Sequence, residues 1–188
     1  GTGDEETLGH GLGVAPKVHI TKKTNGADAW NMYHESIGNT HGLRLNGSGA
    51  KEDFGFYGDT SPTSSVFTVG GVTSNDRLNT DGASYVFYSF AEKQGYSKFG
   101  SWLGNANAAN GGFIYLGFKP AYLLVKGADG ITEWFATDSK RPGYNLNYKI
   151  NPNIMDAEAT AASASYCDLL SNGFRVTYND VVNEKQLY

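Results

Sequence analysis

The chain has 188 residues, of which 39% are hydrophobic and 13% aromatic, a composition typical of a folded globular protein rather than a disordered one. Its net charge is -4 and no run of basic residues is longer than Lys22-Lys23, which argues against a surface for nucleic acid or anionic membrane. Cys167 is the single cysteine, so no internal disulfide can form. No apolar run approaches 18 residues, and we therefore predict no insertion into a membrane.

Short segments with β character recur along the chain between clusters of Gly, Asn, Asp and Ser. In chain order they cover residues 17–23, 29–34, 42–46, 65–70, 84–91, 112–116, 121–127, 133–137, 147–151 and 173–178. Turn signals separate them every eight to twelve or so residues, which predicts an all-β fold, an antiparallel β-sandwich. Asn25-Gly26 and Asp129-Gly130 each lie between two such segments and predict tight hairpins.

One stretch has a different character. The Ala-rich residues 156–165, followed by residues 166–170, favour one or two helical turns that end at Asn172-Gly173.

The sequence also aligns with itself without a gap when residues 12–34 are placed over residues 116–138, an offset of 104. Six identities result, where chance would give roughly one or two. The matched residues are Leu12 and Leu116, Gly13 and Gly117, Pro16 and Pro120, Lys22 and Lys126, Gly26 and Gly130, and Trp30 and Trp134. We therefore predict two tandem homologous repeats, residues 1–103 with a connector and residues 104–188, which can pack as one pseudo-symmetric unit.

The duplication carries two further expectations. Residues 12–70 and 116–177 should share one strand order, with Trp30 and Trp134 in matching buried places. The first copy continues into a strand at residues 86–92, whereas the second reaches Leu187-Tyr188 where that strand should begin. We expect the residues to be a window from a longer chain, with the closing strand supplied from beyond Tyr188 or from another subunit, since unpaired sheet edges invite association.

Patterns that could carry catalysis or bind a cofactor lack the spacing that their chemistry requires. Gly11–Pro16 is followed by a strand, whereas a dinucleotide loop opens a helix. His34 and His41 are not one helical turn apart, as a helical zinc motif requires. Cys167 lies beside Asp168 with no basic neighbour and is interpreted as a small buried thiol. We predict no catalytic residue, no metal site, no cofactor and no enzymatic activity.

Two other kinds of site, a glycosidase site and a calcium site, would use side chains that carry oxygen atoms. The acidic residues Asp4–Glu6 fall in a predicted loop, and those of Lys51–Asp53 and Asp156–Glu158 flank turns. None of these groups alternates along a predicted strand as in a sandwich glycosidase. The Asn and Asp clusters at residues 105–110 and 75–76 have ligands that calcium accepts, but turn formation explains them without an ion.

Loop aromatics are the residues that best suit a sugar ring. Trp102 lies in the Gly-rich connector, and Tyr144 and Tyr148 lie in and beside the turn at Pro142–Asn145. We predict these three side chains as the glycan-binding residues. Trp30 and Trp134 occupy equivalent strand positions, for which a repeated core role is favoured over ligand stacking.

Three segments resemble one known family. They are Ser84–Asn105, with the sequence SYVFYSFAEKQGYSKFGSWLGN, together with Gly117–Ala121 and Leu170–Phe174. The pattern resembles a lectin-like, concanavalin-type β-sandwich repeat domain of marine phage tail-fibre-like and other virion proteins, and it covers nearly the whole chain. The resemblance implies a structural component of a phage particle, either a tail fibre or a capsid fibre or decoration, on the virion exterior.

The resemblance also implies partners. They would be other virion proteins and copies of this chain, with a homotrimer favoured, and host-cell surface glycans as a further contact. It supplies no catalytic residues. Two other functions stay open: a carbohydrate-binding, lectin-like module outside a virion, and a polysaccharide-degrading sandwich enzyme with two exposed carboxylates roughly 5–10 Å apart.

Overall fold

A computed structural model of the chain describes residues 1–53, 55–70, 78–141, 148–160, 166–177, 183–184 and 186–188. Its regular elements are antiparallel β-strands and two short 3-10 turns, at Glu35–Ile37 and Ala108–Asn110. The predicted all-β class is confirmed.

The chain divides into two compact units. The first contains residues 1–45 and 51–92, and the second contains residues 46–50 and 93–188. The connector that precedes residue 104 is predicted above to belong to the first repeat. It packs with the second unit instead, because the Trp102 ring stacks on Tyr188 and meets the edge of Phe174 there.

The first unit is a small sandwich. Its strands are β1 (Glu6–Gly9), β2 (Val18–Lys23), β3 (Asn31–His34), β4 (His41–Arg44), β5 (Glu52–Asp53), β6 (Val66–Val69) and β7 (Tyr85–Phe90). One sheet has the order β5-β4-β3-β2-β7, and β1 pairs with β6 in the other. The Phe67 ring of β6 lies 4.3 Å from the His19 ring of β2 and 4.8 Å from the Phe87 ring of β7, measured between centroids. The two sheets therefore bury their facing side chains against each other.

The second unit has corresponding layers. Its strands are β8 (Phe113–Tyr115), β9 (Tyr122–Val125), β10 (Phe135–Asp138), β11 (Tyr148–Lys149), β12 (Ala159–Thr160), β13 (Cys167–Leu170) and β14 (Gly173–Val176). β9 pairs with β10, β11 with β12, and β14 lies between β13 and β8. Ile150 and Ala136 exchange two backbone hydrogen bonds, which link β10 to the segment of β11. Leu123 and Phe135 pack in one core with Phe174.

Each of the ten predicted strand segments overlaps an observed strand, whereas the sequence pattern does not predict β1, β5, β12 and β13. The predicted helical turns are wrong at two places. Ala159–Thr160 and Cys167–Leu170 are strands, while residues 161–165 lie outside the described residues. β13 is a strand because Cys167 and Leu169 alternate into the core while Asp168 points away from it, and because β14 supplies its hydrogen bonds.

The two hairpins keep one register under the offset of 104. Val18 lies opposite His34 in the first unit, and Tyr122 lies opposite Asp138 in the second. The order β2-β3-β4-β5 corresponds to β9-β10-β11-β12, with the Ile150 bridge in the middle. That one ancestral unit was duplicated stays a prediction.

The matched tryptophans differ in burial. Trp134 is 2% exposed, as expected, but Trp30 is only partly buried. The matched lysines behave alike, since Lys22 Nζ donates to the carbonyl of Lys23 at 2.8 Å and Lys126 Nζ to that of Gly127 at 2.7 Å.

A buried asparagine ties the beginning of each unit to its interior. Asn79 Oδ1 accepts the Thr2 N–H at 3.2 Å, and its Nδ2 donates to Thr2 Oγ1 at 3.1 Å. Asn183 Oδ1 accepts the Asn105 N–H at 3.0 Å, and its Nδ2 donates to Asn105 Oδ1 at 2.8 Å. The buried side-chain amides of Asn79 and Asn183 are therefore hydrogen-bonded in the same way.

The units differ where the closing strand lies. In the first, the Thr24 N–H donates to the Ser84 carbonyl at 2.8 Å, directly before β7 pairs along β2. In the second, the Ala128 N–H donates to the Leu187 carbonyl at 2.7 Å in the same way. Within the described part of the chain no strand continues from there along β9. That a closing strand is supplied from beyond Tyr188 or from another subunit stays a prediction.

Replacement of either buried asparagine by alanine should destabilise the protein. We expect Asn79→Ala and Asn183→Ala each to lower the free energy of unfolding by about 1–3 kcal/mol, since each leaves a backbone amide without its partner. Asn110→Ala is the matched control, because Asn110 is exposed and bonded through its backbone; it should stay within about 0.5 kcal/mol of wild type. Urea unfolding followed by tryptophan fluorescence measures all three, and equal stabilities would show that the two buried asparagines do not stabilise the protein.

Candidate functional site

Two aromatic side chains stand exposed on β8. Phe113 and Tyr115 are 48% and 66% exposed, whereas Ile114 between them packs against the core. Successive side chains of a strand point to opposite faces, so burying Ile114 directs both aromatic rings outward.

A glycine lies under each ring. A Cβ built on Gly173 would lie 3.0 Å from Phe113 Cζ, and one built on Gly117 would lie 3.5 Å from Tyr115 Oη. Gly117 has φ +82°, which other residues rarely adopt. A Cβ at Gly173 would also lie 2.1 Å from the Ile114 carbonyl oxygen, so the close approach of β14 to β8 requires glycine there, and the Phe113 ring lies over the space that this leaves.

The neighbouring strands add polar groups to the same outward surface. Gly173 of β14 lies opposite Tyr115, and Arg175 lies opposite Phe113. On the next strand Asp168 lies opposite Arg175. Directly opposite residues project to one face of a sheet. We call this surface of β8, β14 and β13 the aromatic face, and its side chains are those of Phe113, Tyr115, Asp168, Leu170 and Arg175.

The guanidinium of the aromatic face has a fixed contact. Arg175 Nη2 donates to the carbonyl of Ala109 at 3.0 Å, which orients the group beside the Phe113 ring. A guanidinium carries five N–H donors, and this contact uses one of them. The face thus combines flat apolar rings with a donor group and a carboxylate.

This combination suits a ligand that is apolar on one side and rich in hydroxyls at its edge. A pyranose ring has that chemistry, because its axial C–H groups form an apolar face and its hydroxyls both donate and accept hydrogen bonds. Aromatic rings would cover the C–H face, while the Arg175 guanidinium and the Asp168 carboxylate would meet hydroxyls.

The first unit shows that the fold does not require these aromatic rings. β1 and β6 pair as β8 and β14 do, with Leu8 in the inward position that Ile114 takes in the second unit. Thr7 and Gly9 occupy the two exposed positions there. A small polar residue and a glycine therefore complete the same strand pair.

The residues predicted to bind glycan lie elsewhere. Trp102 is partly buried and stacks on Tyr188, with 5.4 Å between ring centroids and 17° between planes. That packing gives Trp102 a role in the core and removes one ring face from any sugar. Tyr148 lies on β11 opposite Thr160 and is partly buried. Tyr144 lies outside the described residues.

Sequence reasoning does not find the aromatic face, for a physical reason. Phe113, Ile114 and Tyr115 are three consecutive apolar residues, so the segment shows no alternation that separates an inward side from an outward one. A comparison with Thr7 and Gly9, the equivalent residues of the first unit, would have indicated the two added aromatic rings. Those two residues lie before residue 12, however, where the ungapped self-alignment begins.

The histidines serve local structure. His34 Nδ1 accepts the Ser36 N–H at 3.1 Å, and His41 Nδ1 lies 2.7 Å from Thr40 Oγ1. In the part of the chain that the structure describes, no three His, Cys, Asp or Glu side chains are grouped to hold a metal ion. The absence of a metal site in the whole protein stays a prediction.

His19 is the most perturbed of these side chains. It is fully buried in the first unit, and its Nδ1 lies 2.7 Å from Ser89 Oγ. Burial, followed by the nearby His10, lowers the pKa of His19 to about 4. The imidazole is therefore neutral at neutral pH.

Cys167 is a buried thiol, as predicted. Burial raises its pKa to about 12, and the adjacent Asp168 carboxylate acts in the same direction. The thiolate needed for nucleophilic chemistry is thus disfavoured.

Comparison with protein families assigns the chain. The chain belongs to the DUF7483 family. The family model, described as a domain of unknown function, matches residues 1–186. No curated protein and no solved structure matches the DUF7483 chain. Among its described residues, none of the helical segments has the length and apolar character needed to cross a membrane.

The buried imidazole predicts a pH-dependent stability. The pKa of His19 is about 4 in the folded chain, against 6.5 for an ordinary histidine such as that of the unfolded chain, so the unfolded state binds more protons between these values. Stability should be full above about pH 6.5 and fall by about 3 kcal/mol as the pH drops through 4. The variant His19→Leu, which introduces the side chain found at the equivalent position 123, should lack this loss.

Urea unfolding at several pH values between 7 and 4 measures the difference between wild type and His19→Leu. His41→Leu, at a partly exposed histidine, is the control and should keep the wild-type profile. Parallel profiles for wild type and His19→Leu would show that His19 is not the titrating group.

Proposed function

We propose that this chain is a structural module on the exterior of a phage particle, in a tail fibre or a capsid fibre or decoration, and that its aromatic face contacts polysaccharide on the host surface. The observation that carries the binding role is the exposure of Phe113 and Tyr115 on one strand, each against a glycine and beside Arg175. The resemblance to virion repeat domains supports the location.

The charge of the chain suits a neutral or weakly charged polysaccharide. Its net charge is -4, and no basic run is present that would attract a strongly anionic polymer. A two-ring contact is small, so each site should bind weakly. Several copies of the chain on one fibre would raise the overall affinity, because later contacts become intramolecular. The proposed homotrimer would supply such copies.

Binding is favoured over hydrolysis by the acidic residues of this surface. Hydrolysis of a glycosidic bond requires two carboxyl groups on either side of the bond. The aromatic face as defined above carries one carboxylate, that of Asp168. A lectin-like module outside a virion would use the same face, and the two proposals differ only in location.

Removal of either ring should weaken glycan binding. On a printed array of neutral hexose, deoxyhexose and N-acetylhexosamine oligosaccharides, Phe113→Ala and Tyr115→Ala should each bind roughly 5–30-fold more weakly, a loss of about 1–2 kcal/mol. Tyr96→Ala is the matched control, because Tyr96 is 80% exposed and lies in a separate turn. Retention of wild-type binding by both variants, or its loss in the control, would refute the aromatic face as the site.

The proposed location has its own test. Antibodies raised against the 188 residues should decorate intact particles of the phage that carries the gene, seen by negative-stain electron microscopy. Light scattering should give three times the chain mass of 20.2 kDa. Glycan binding by a chain that is absent from particles would leave the lectin-like module as the function.

A further inference from the structure

Two loops occupy equivalent places in the strand pairing. One connects β4 to β5 and the other connects β11 to β12, and both strand pairs have the same register at an offset of 107. His41 lies opposite Asp53 in one pair, and Tyr148 lies opposite Thr160 in the other. We call residues 46–50 the first loop and residues 153–157, which the same offset places there, the second loop.

The first loop packs on a hairpin turn of the second unit. Residues 46–50 follow β4 in the chain, yet they belong to that unit. The Ser48 carbonyl accepts the Thr132 N–H at 3.0 Å. Thr132 lies in the turn between β9 and β10, two residues before Trp134, which is 2% exposed. A loop of this kind therefore forms part of the surroundings of a hairpin turn.

The equivalent turn of the first unit is less covered. Under the offset of 104 it consists of residues 23–29, which we call the first-unit turn. Thr24 in it is exposed, whereas the matching Ala128 is buried. Trp30 directly after it is only partly buried, whereas the matching Trp134 is buried. The first-unit turn thus offers more surface to a loop than its counterpart does.

The second loop carries apolar side chains at the places that contact the turn in the first loop. Met155 stands at the position of Ser48 and is fully exposed, and Ile154 beside it is 37% exposed. Neighbouring exposed apolar side chains are typical of a surface that binds another protein.

The charges of the second loop and the first-unit turn are complementary. The turn begins with Lys23, where the second unit has Gly127. The second loop has the exposed Asp156, where the first loop has Gly49. A lysine and an aspartate thus replace two glycines, although the turn also carries the carboxylate of Asp28. Opposite charges on two surfaces favour their association in one orientation.

We propose that the second loop of one copy docks on the first-unit turn of a second copy, so that copies associate head to tail. The Met155 carbonyl then accepts the Asp28 N–H, as the Ser48 carbonyl accepts that of Thr132. Ile154 and Met155 pack beside Trp30. Because each copy presents its loop in one place and its turn in another, the interface is heterologous and builds either a closed ring or a fibre.

This contact deepens the proposed self-association of the chain, and it rests on neither the aromatic face nor the location on a phage. A ring closed by three such contacts would have the mass of the proposed homotrimer.

A cysteine cross-link tests the contact directly. Asp28→Cys and Met155→Cys are prepared as separate variants, so that only a mixed pair of copies brings the two new cysteines together. The native Cys167 is buried and does not compete. Mild oxidation of the mixture should give a covalent dimer on a non-reducing gel, whereas each variant alone should run as a single chain.

The positive control places both cysteines in one chain at the observed contact. Ser48→Cys combined with Thr132→Cys should cross-link within that chain, as shown by its faster migration without reductant. No dimer in the mixture of the two single variants, or equal dimer in either variant alone, would overturn the proposal.

The strength of association gives an independent test. Met155→Asp should weaken self-association roughly 10–100-fold in analytical ultracentrifugation, because it removes the apolar contact and adds a second carboxylate beside Asp156. Tyr96→Asp is the matched control, since Tyr96 is 80% exposed in a separate turn, and it should associate as wild type does. A monomeric wild type, or unchanged association of Met155→Asp, would overturn the contact.

The glycan site and the self-contact fail separately. Phe113→Ala should keep wild-type self-association, and Met155→Asp should keep the affinity of a single chain for an oligosaccharide. Loss of self-association in Phe113→Ala would place the contact between copies on the aromatic face and overturn the docking of the second loop.

Discussion

The register of the β-strands is the constraint on which the aromatic face depends. Because successive side chains point to opposite faces, a slip of one residue would exchange every inward group for an outward one. On β8 the register buries Ile114 and exposes the two aromatic rings beside it. On β2 it directs His19 and Thr21 into the interior. The aromatic face and the burial of His19 and Thr21 are thus two results of the same alternation.

The two units show how much freedom this constraint leaves. They share hairpin register and the order of four strands, yet within its largely aromatic core the first unit has His19, Thr21 and Asn31 where the second has Leu123, Val125 and Phe135. The outer strands differ as well, since the first has small residues where the second has aromatic ones. An unsatisfied buried polar atom costs about 1–3 kcal/mol, which is large beside a typical stability of about 5–15 kcal/mol. Asn31 Oδ1 is such an atom within the described residues, whereas Phe135 fills the equivalent place without that cost.

The sequence was sufficient for ten of the fourteen described strands and insufficient for the sites. Glycine-containing turns and apolar runs located ten strands, and the offset of 104 anticipated the matching hairpins. The pattern of Val18-His19-Ile20-Thr21 favours His19 outward, yet His19 and Val18 are both buried, since both faces of that strand are covered. The alanines before Cys167–Leu170 favour a helix locally, but pairing with β14 overrides that preference. Whether such residues are buried depends on segments that are distant in the sequence, and a local sequence pattern carries no information about those segments.

The central claim is that one outward sheet face of the second unit binds polysaccharide. A ¹H–¹⁵N NMR titration tests it most directly, with the array oligosaccharide that binds wild type most tightly. The account predicts amide shift changes at residues 113–115, 168–170 and 173–175, and none at Thr7 and Gly9, the equivalent positions of the first unit. Changes centred on the first unit, or on Tyr148 and the connector around Trp102, would contradict it.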